Sequence, residues 1–209
     1  MNPNIEKRNE LLAAKVIKGL ESRNMTGYYA ADRETALRQT LALIPEGSVI
    51  CMGGAASAHE IGLVDALKEG PYRYVDREAV QDKRQAILSA YDADVFLSSA
   101  NAMTEDGVLV NIDGNANRVS AIAYGPRKVI FIVSMNKITP DLDSAMKRAR
   151  NVAAPINAIR LHTNTPCAKA GTCLDCKSPD TICCQFLITR FSHHPGRIHV
   201  VLCGEDAGF

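Results

Sequence analysis

The feature that most constrains this chain is the alternation of short β-branched runs with amphipathic helical stretches. The clearest run is Lys128–Ser134, in which Val129, Ile130, Phe131, Ile132 and Val133 are all apolar. It reads as a strongly β-branched strand. Shorter runs at Tyr28–Ala30, Ser48–Met52, Tyr72–Val75, Asp94–Ser98 and Gly107–Ile112 also read as strands. Helices are expected between them. One spans Asn4–Arg23, with Ile5, Leu11, Leu12, Val16 and Leu20 near one face, and a second starts at Asp32 as cap and ends near Ile44. Ser57-Ala58-His59-Glu60 has the form of a capping box and opens a helix ending near Gly70. Further helices are expected over Arg77–Tyr91 and Asn117–Tyr124, and from Thr139 through Ala153 with a kink or restart at Pro155. The charged run Lys147-Arg148-Ala149-Arg150 reads as a solvated face of that last helix. Such alternation, with no fixed repeat, implies an α/β protein with a parallel, doubly wound sheet.

After Leu161 the character changes. Residues 162–184 form a cysteine-rich excursion with a short helix expected near Pro179–Cys184. Gln185–Phe191 and Arg197–Cys203 then read as two final strands, paired as a hairpin around Ser192–Gly196.

Sheets of this kind bind ligands beyond the carboxyl ends of their strands, and polar loops follow several of the expected strands. Gly53 and Gly54 allow close backbone approach, and Ser57 follows them at a helix start. The next loop carries Asn101, Thr104, Glu105, Asp106 and Gly107; the one after it Asn111, Asp113, Asn117 and Arg118; Lys137 follows Ser134. Asn, Asp and Gly also make plain turns and caps, which alone accounts for Asp113-Gly114 and for Asn117 as a cap. If the loops share a pocket, Lys137 and Arg118 would bind anionic groups, and Glu105 or Asp106 would act as acid, base or nucleophile.

The strongest local signal is the cysteines. Five of seven lie between Cys167 and Cys184: Cys167, Cys173, Cys176, Cys183 and Cys184. Short spacers containing Gly171 and Pro179 let these soft ligands converge. One continuous run with a single Cys-x2-Cys suits an iron–sulfur cluster; zinc would also accept four thiolates, and free thiols are the remaining reading. Cys183 and Cys184 compete for the fourth position. Cys51 and Cys203 end strands and read as core residues.

Composition excludes other classes. A formal net charge of +1 provides no field for nucleic acid, and absence of Trp with few aromatics leaves no stacking platform for bases. The charged N-terminal stretch lacks the apolar core of a signal peptide, and no apolar run reaches the ~18 residues that span a bilayer. The expectation is a cytoplasmic protein with reduced thiols, binding neither nucleic acid nor membrane.

Several motifs, in order, resemble the LUD domain, a family associated with lactate utilisation. They are Gly53-Gly54-Ala55-Ala56-Ser57-Ala58-His59-Glu60-Ile61-Gly62-Leu63, Asn101-Ala102-Met103-Thr104-Glu105-Asp106-Gly107, Val110-Asn111-Ile112-Asp113-Gly114, Asn117-Arg118-Val119, Tyr124-Gly125-Pro126 and Asn136-Lys137-Ile138. The segment from Thr165-Pro166-Cys167 to Cys183 is similar to the tail of one branch of that family. The resemblance covers about residues 10 to 190. It implies one α/β domain over residues 1–209, with the Rossmann-like layering of the sugar-isomerase and CoA-transferase superfamily. It adds Glu60 to the ligand contacts and prefers Cys183, with Cys167, Cys173 and Cys176, as the ligand set of a [4Fe–4S] cluster. The implied role is an accessory or subunit in oxidation of lactate or a related small acid, an oxidoreductase component. Its expected partners are a small anion, iron–sulfur or flavin oxidoreductase subunits, and further copies of itself. The alternative is a CoA-transferase-like or isomerase-like enzyme using Glu105 or Asp106, with zinc only structural; Glu105-Asp106-Gly107 resembles the nucleophile turn of CoA transferases.

Overall fold

A computed structural model describes residues 2–209. The chain runs α1 (Pro3–Ser22), β1 (Thr26–Ala30), α2 (Arg33–Ala42), β2 (Val49–Met52), α3 (Ala56–Glu60), α4 (Leu63–Glu69), β3 (Arg73–Tyr74), α5 (Lys83–Leu88) and β4 (Val95–Ser98). It continues with β5 (Ala102–Thr104), β6 (Leu109–Asp113), α6 (Asn117–Ala123), β7 (Lys128–Ser134), β8 (Ile138–Thr139) and α7 (Leu142–Arg148). A π-helical segment (Ala149–Ala153), α8 (Ala154–Arg160), α9 (Pro166–Ala170), β9 (Gln185–Thr189) and β10 (Ile198–Cys203) complete it.

Two sheets result. The first has the order β1-β10-β7-β4-β2-β3 with every pair parallel. Its central strand β7 is buried on both sides, as its apolar run requires. Val129, Phe131 and Val133 meet α1 and α6, while Ile130 and Ile132 meet α2, α3 and α4. Each such side chain contributes about 1.5–3 kcal/mol by leaving water. The second sheet, β8-β5-β6-β9, is mixed: β5 pairs parallel with β8, and β6 pairs antiparallel with β5 and β9. It packs on the α1 side of the first sheet through Met103 and Leu109, with α7 over its other face through Ala145.

Caps set several helix starts. Asn2 accepts from the Asn4 amide at 2.9 Å ahead of Pro3, and Asp32 accepts from the Thr35 amide at 2.7 Å.

The structure corrects several expected elements. β9 and β10 form no hairpin; they lie in different sheets. Residues 77–82 are not helical, and Asp82 caps the shorter α5. Thr139 ends β8, and Asp141 caps α7. The short helix of the cysteine segment is α9, ahead of Pro179–Cys184, where none forms. Ser57 caps nothing: α3 starts at Ala56, and Gly62, at φ 77°, breaks the expected helix in two. No helix among the described residues is long and apolar enough to cross a membrane.

Candidate functional site

Connections from β2 lead outward to β3, whereas those from β4 lead through β7 to β10 on the other side. The order of the parallel sheet reverses between β2 and β4, and a crevice opens at that point beyond the strand ends. It is a cleft of about 200 Å³, bounded by Gly54 after β2, Ser99 and Asn101 after β4, Asp113 at the end of β6, Lys137 after β7, and Phe209 beyond β10. Asn157 and Arg160 of α8, three apart on one helix face, close another side.

Lys137 forms the floor and is 2% exposed. Its Nζ donates to Ser57 Oγ at 2.8 Å and Ser99 Oγ at 3.1 Å. Ser57 Oγ in turn donates to the Ala207 carbonyl at 2.8 Å. Burial, with help from Arg148 and Arg118 and against Glu60, pushes the Lys137 ammonium down from 10.5 to about 7.

Arg118 builds the wall. Its guanidinium donates to the Ile112 carbonyl and, at 3.1 Å, to Asn101 Oδ1, and its Nε lies 3.7 Å from the Asp113 carboxylate. Gly53 is glycine for this reason: a Cβ there would sit 2.7 Å from Arg118 Cγ. Asp113 accepts from the amides of Arg118 and Val119 at 3.0 and 3.1 Å, so it caps α6 from a distance. Ala116, which precedes α6, has no side chain that could do so. Asn111 is buried beneath, donating to the Ser99 carbonyl at 2.8 Å, and its Oδ1 has no hydrogen-bond partner among the described residues.

Arg77 and Arg160 complete the lining, the latter held by Asn157 Oδ1 at 2.7 and 3.0 Å. Sequence reasoning missed both, as it missed Ser99 and Phe209, because nothing local marks a residue that reaches the cleft only through tertiary folding. Arg148 was also misread as solvated: it donates to the Asn136 and Asn101 carbonyls behind the cleft. Three guanidinium groups and one amine thus face one carboxylate, Asp113, which is already committed to α6.

Of the sequence candidates, Gly54, Asn101, Asp113, Asn117, Arg118 and Lys137 line the cleft, and Gly53, Ser57 and Asn111 support it from behind. Glu60 sits at the tail, accepting from the Gly208 amide at 3.0 Å and facing Arg33 at 3.5 Å. Thr104, Glu105, Asp106 and Gly107 go elsewhere: their turn faces α1, apart from the cleft lining. Glu105 pairs with Lys15, and Asp106 pairs with Arg23. The Thr104 hydroxyl, followed by Arg23, holds the Asp106 carboxyl below the usual carboxylate range. A Cβ on Gly19 would lie 2.5 Å from the Asp106 carbonyl carbon, and Gly107 turns at φ 91°. These residues staple α1 to the second sheet, which is why they look like a polar loop in sequence.

Cys167, Cys173, Cys176 and Cys183 line a second cavity of about 70 Å³, whereas Cys184 is exposed and directs its thiol to the Thr181 carbonyl. Burial, followed by the three neighbouring sulfurs, pushes the Cys183 thiol up to about 11. The Arg150 guanidinium, read from sequence as solvated, reaches Cys173 Sγ at 3.5 Å. Among the described residues no group of three or more His, Cys, Asp or Glu side chains converges as a single metal ion requires. The donor set nonetheless fits a thiolate-ligated group: four soft ligands border one cavity, with a cation beside them to offset thiolate charge. Ala154 and Ile182 line both cavities and form the wall between them. Cys51 and Cys203 are buried in the core.

A crystal structure of a DUF162 family protein from Deinococcus radiodurans matches with a TM-score of 0.52 at 14% identity, over 93% of this chain and 98% of that one. At that identity the likeness speaks to the fold alone. Ribose 5-phosphate isomerase A from Neisseria gonorrhoeae matches with a TM-score of 0.37 at 13% identity, over 53% and 54% of the two chains. Translation initiation factor eIF-2B from Pyrococcus horikoshii OT3 matches at 0.35 and 18% identity, over 53% and 48%. No curated protein matches the sequence. The LUD domain description matches residues 13–203, nearly the whole chain. With that span matched, the chain belongs to the LUD domain family, which is associated with lactate utilisation.

Proposed function

We propose that this protein takes part in the oxidation of lactate or a related small acid, as an accessory or subunit. In this reading the cleft binds the acid through its carboxylate, and the cysteine pocket carries a [4Fe–4S] cluster. The observation that carries the first half is the charge imbalance of the cleft: Arg77, which pairs with Glu78 beside it, and Arg118, Arg160 and Lys137 line it, against one lining side-chain carboxylate, Asp113, already used in capping. A volume of about 200 Å³ suits a molecule of a few heavy atoms. Lys137 is buried and Arg118 only partly exposed, so their attraction is weakly screened by salt.

The second half is supported by four thiols that border one cavity. When bound, such a cluster supplies one-electron transfer. Cys167, Cys173, Cys176 and Cys183 would hold it, and flavin or iron–sulfur oxidoreductase subunits would exchange electrons with it.

Calorimetric titration with lactate and pyruvate tests the cleft, with phosphate as a competing anion. Saturable binding of the carboxylates is expected; absence of binding by both would refute the reading. Anaerobic reconstitution with iron and sulfide tests the pocket. A brown protein with both elements bound is expected, and a colourless, iron-free product would remove the cluster.

A further inference from the structure

The cleft contains more cation than capture of an anion needs. The guanidinium groups of Arg77, Arg118 and Arg160 line the cleft and already supply the attraction. Lys137 differs from them in surroundings as well as in type. Its partners are two hydroxyls, at 2.8 and 3.1 Å, and no salt bridge joins it to a carboxylate among the described residues. An amine shut away from water, with hydroxyls as its hydrogen-bond partners and with Arg148 and Arg118 acting against Glu60, gives up its proton more readily and becomes a nucleophile.

We propose that Lys137 is a catalytic amine that forms a Schiff base with the C2 carbonyl of a small 2-oxo acid, whose carboxylate the guanidinium groups of the cleft hold. The inference rests on the anion-binding reading above and adds the substrate class and the reacting atom.

The step needs no oxidant or reductant. The Nζ lone pair attacks C2, and the carbonyl π pair moves to oxygen, which takes a proton. The resulting carbinolamine loses its oxygen as water, together with a proton from nitrogen, and a C=N bond remains. Amine plus 2-oxo acid gives imine plus water. Protonated, that imine draws electrons from C2 and acidifies the hydrogens on C3.

The two serines divide the remaining work. Ser99 lines the cleft beside the amine, where its hydroxyl can pass protons between nitrogen and the departing oxygen. Ser57 is fully buried, and its hydroxyl is committed to the Ala207 carbonyl. It orients Lys137 from behind and is not itself the nucleophile.

The test uses the whole chain with pyruvate and sodium cyanoborohydride, read by intact mass and peptide mapping. Lactate, which has the same carboxylate but no carbonyl, serves as competitor. The expected result is one adduct on Lys137, suppressed by excess lactate. In deuterated water the methyl hydrogens of pyruvate should exchange at least ~100-fold faster than in buffer, by proton NMR. Lys137→Arg keeps the cation and should still bind pyruvate but lose both adduct and exchange; if that variant fails to fold, the wild-type adduct map decides alone. Binding of pyruvate without adduct or exchange, or an adduct on another lysine, overturns the Schiff base and leaves the anion-binding reading intact. Failure to bind either acid overturns both.

Discussion

The switch-point cleft and the cysteine pocket share a wall, Ala154 and Ile182, yet they are built in opposite ways. The cleft stands on the ends of parallel strands. Its key side chains are tied to backbone groups: Arg118 to the Ile112 carbonyl, Asp113 to two amides of α6, Asn111 to the Ser99 carbonyl. The cysteine pocket is made largely from the segment after Thr165, whose regular structure is the five-residue α9 until β9 begins. Its sulfurs hold few hydrogen bonds, such as Thr165 to Cys167 and Arg150 to Cys173. A site on rigid elements is preorganised before its ligand arrives. A site of loops takes its order from what it binds, so binding there is also folding free energy.

The largest expected effect tests the rigid half. Arg118→Ala leaves the Ile112 carbonyl, Asn101 Oδ1 and the Asp113 carboxylate without their cation, which should cost about 3 kcal/mol in urea unfolding. Iron uptake per folded molecule should not change. Equal loss of iron uptake would show that the two regions are one unit.

The next effect tests the other half. Cys183→Ser should lower iron bound after anaerobic reconstitution by about 10-fold or more, whereas Cys184→Ser should match wild type, because Cys184 lies outside the cavity. Lactate affinity should be the same in both. Iron loss in the Cys184 variant alone would reverse the assignment.

A third effect is a slope against pH. The folded chain releases the Lys137 proton near 7 and the unfolded chain near 10.5, so between those values the unfolded state binds more protons. Stability should therefore rise with pH in this window. It is best read between pH 7 and 9, before Cys183 and Cys203, pushed by burial from 9.0 to about 11, act in the opposite sense. Thermal melts should show the rise, and Lys137→Met should flatten it; an unchanged slope in that variant would exclude Lys137 as its source.

The smallest effect is expected at Glu105. Its partner Lys15 is largely exposed, so Glu105→Gln should change stability by no more than about 0.5 kcal/mol and leave pyruvate binding untouched. Loss of binding in that variant would return the Glu105 turn to the ligand site.

The parallel sheet was legible because burial on both faces leaves a mark that survives in one dimension: β7 is apolar from Val129 to Val133 and occupies the residues expected, 128–134. The loops after β2, β4 and β7 were legible for a related reason, since strand ends in such sheets face ligands. The second sheet was not. β5 and β8 are three and two residues long, too short for any period, and β9 pairs with β6 across more than seventy residues of chain. The capping box failed because Ser57 is needed inside α3, against Lys137, and that partner is eighty residues away. Glu105 and Asp106 misled because a staple and a catalytic turn use the same residue types. Cys183 and Cys184 are adjacent and chemically alike, and only folding turns one inward.

The π-helical segment Ala149–Ala153 between α7 and α8 sets a phase. A wide turn of this kind holds one residue more than an α-helical turn. Deleting one alanine there would let α7 and α8 merge into one regular helix with Asn157 and Arg160 still on the same face, because the wide turn already absorbs the extra residue. Winding the same residues as a regular α-helix would instead turn everything beyond by about 100°, swinging Asn157 and Arg160 off the cleft and Ala154 off the wall it shares with the cysteine pocket. The register of both sites is held here by the wide turn, so in this helix a change that straightens it does more harm than the loss of one residue.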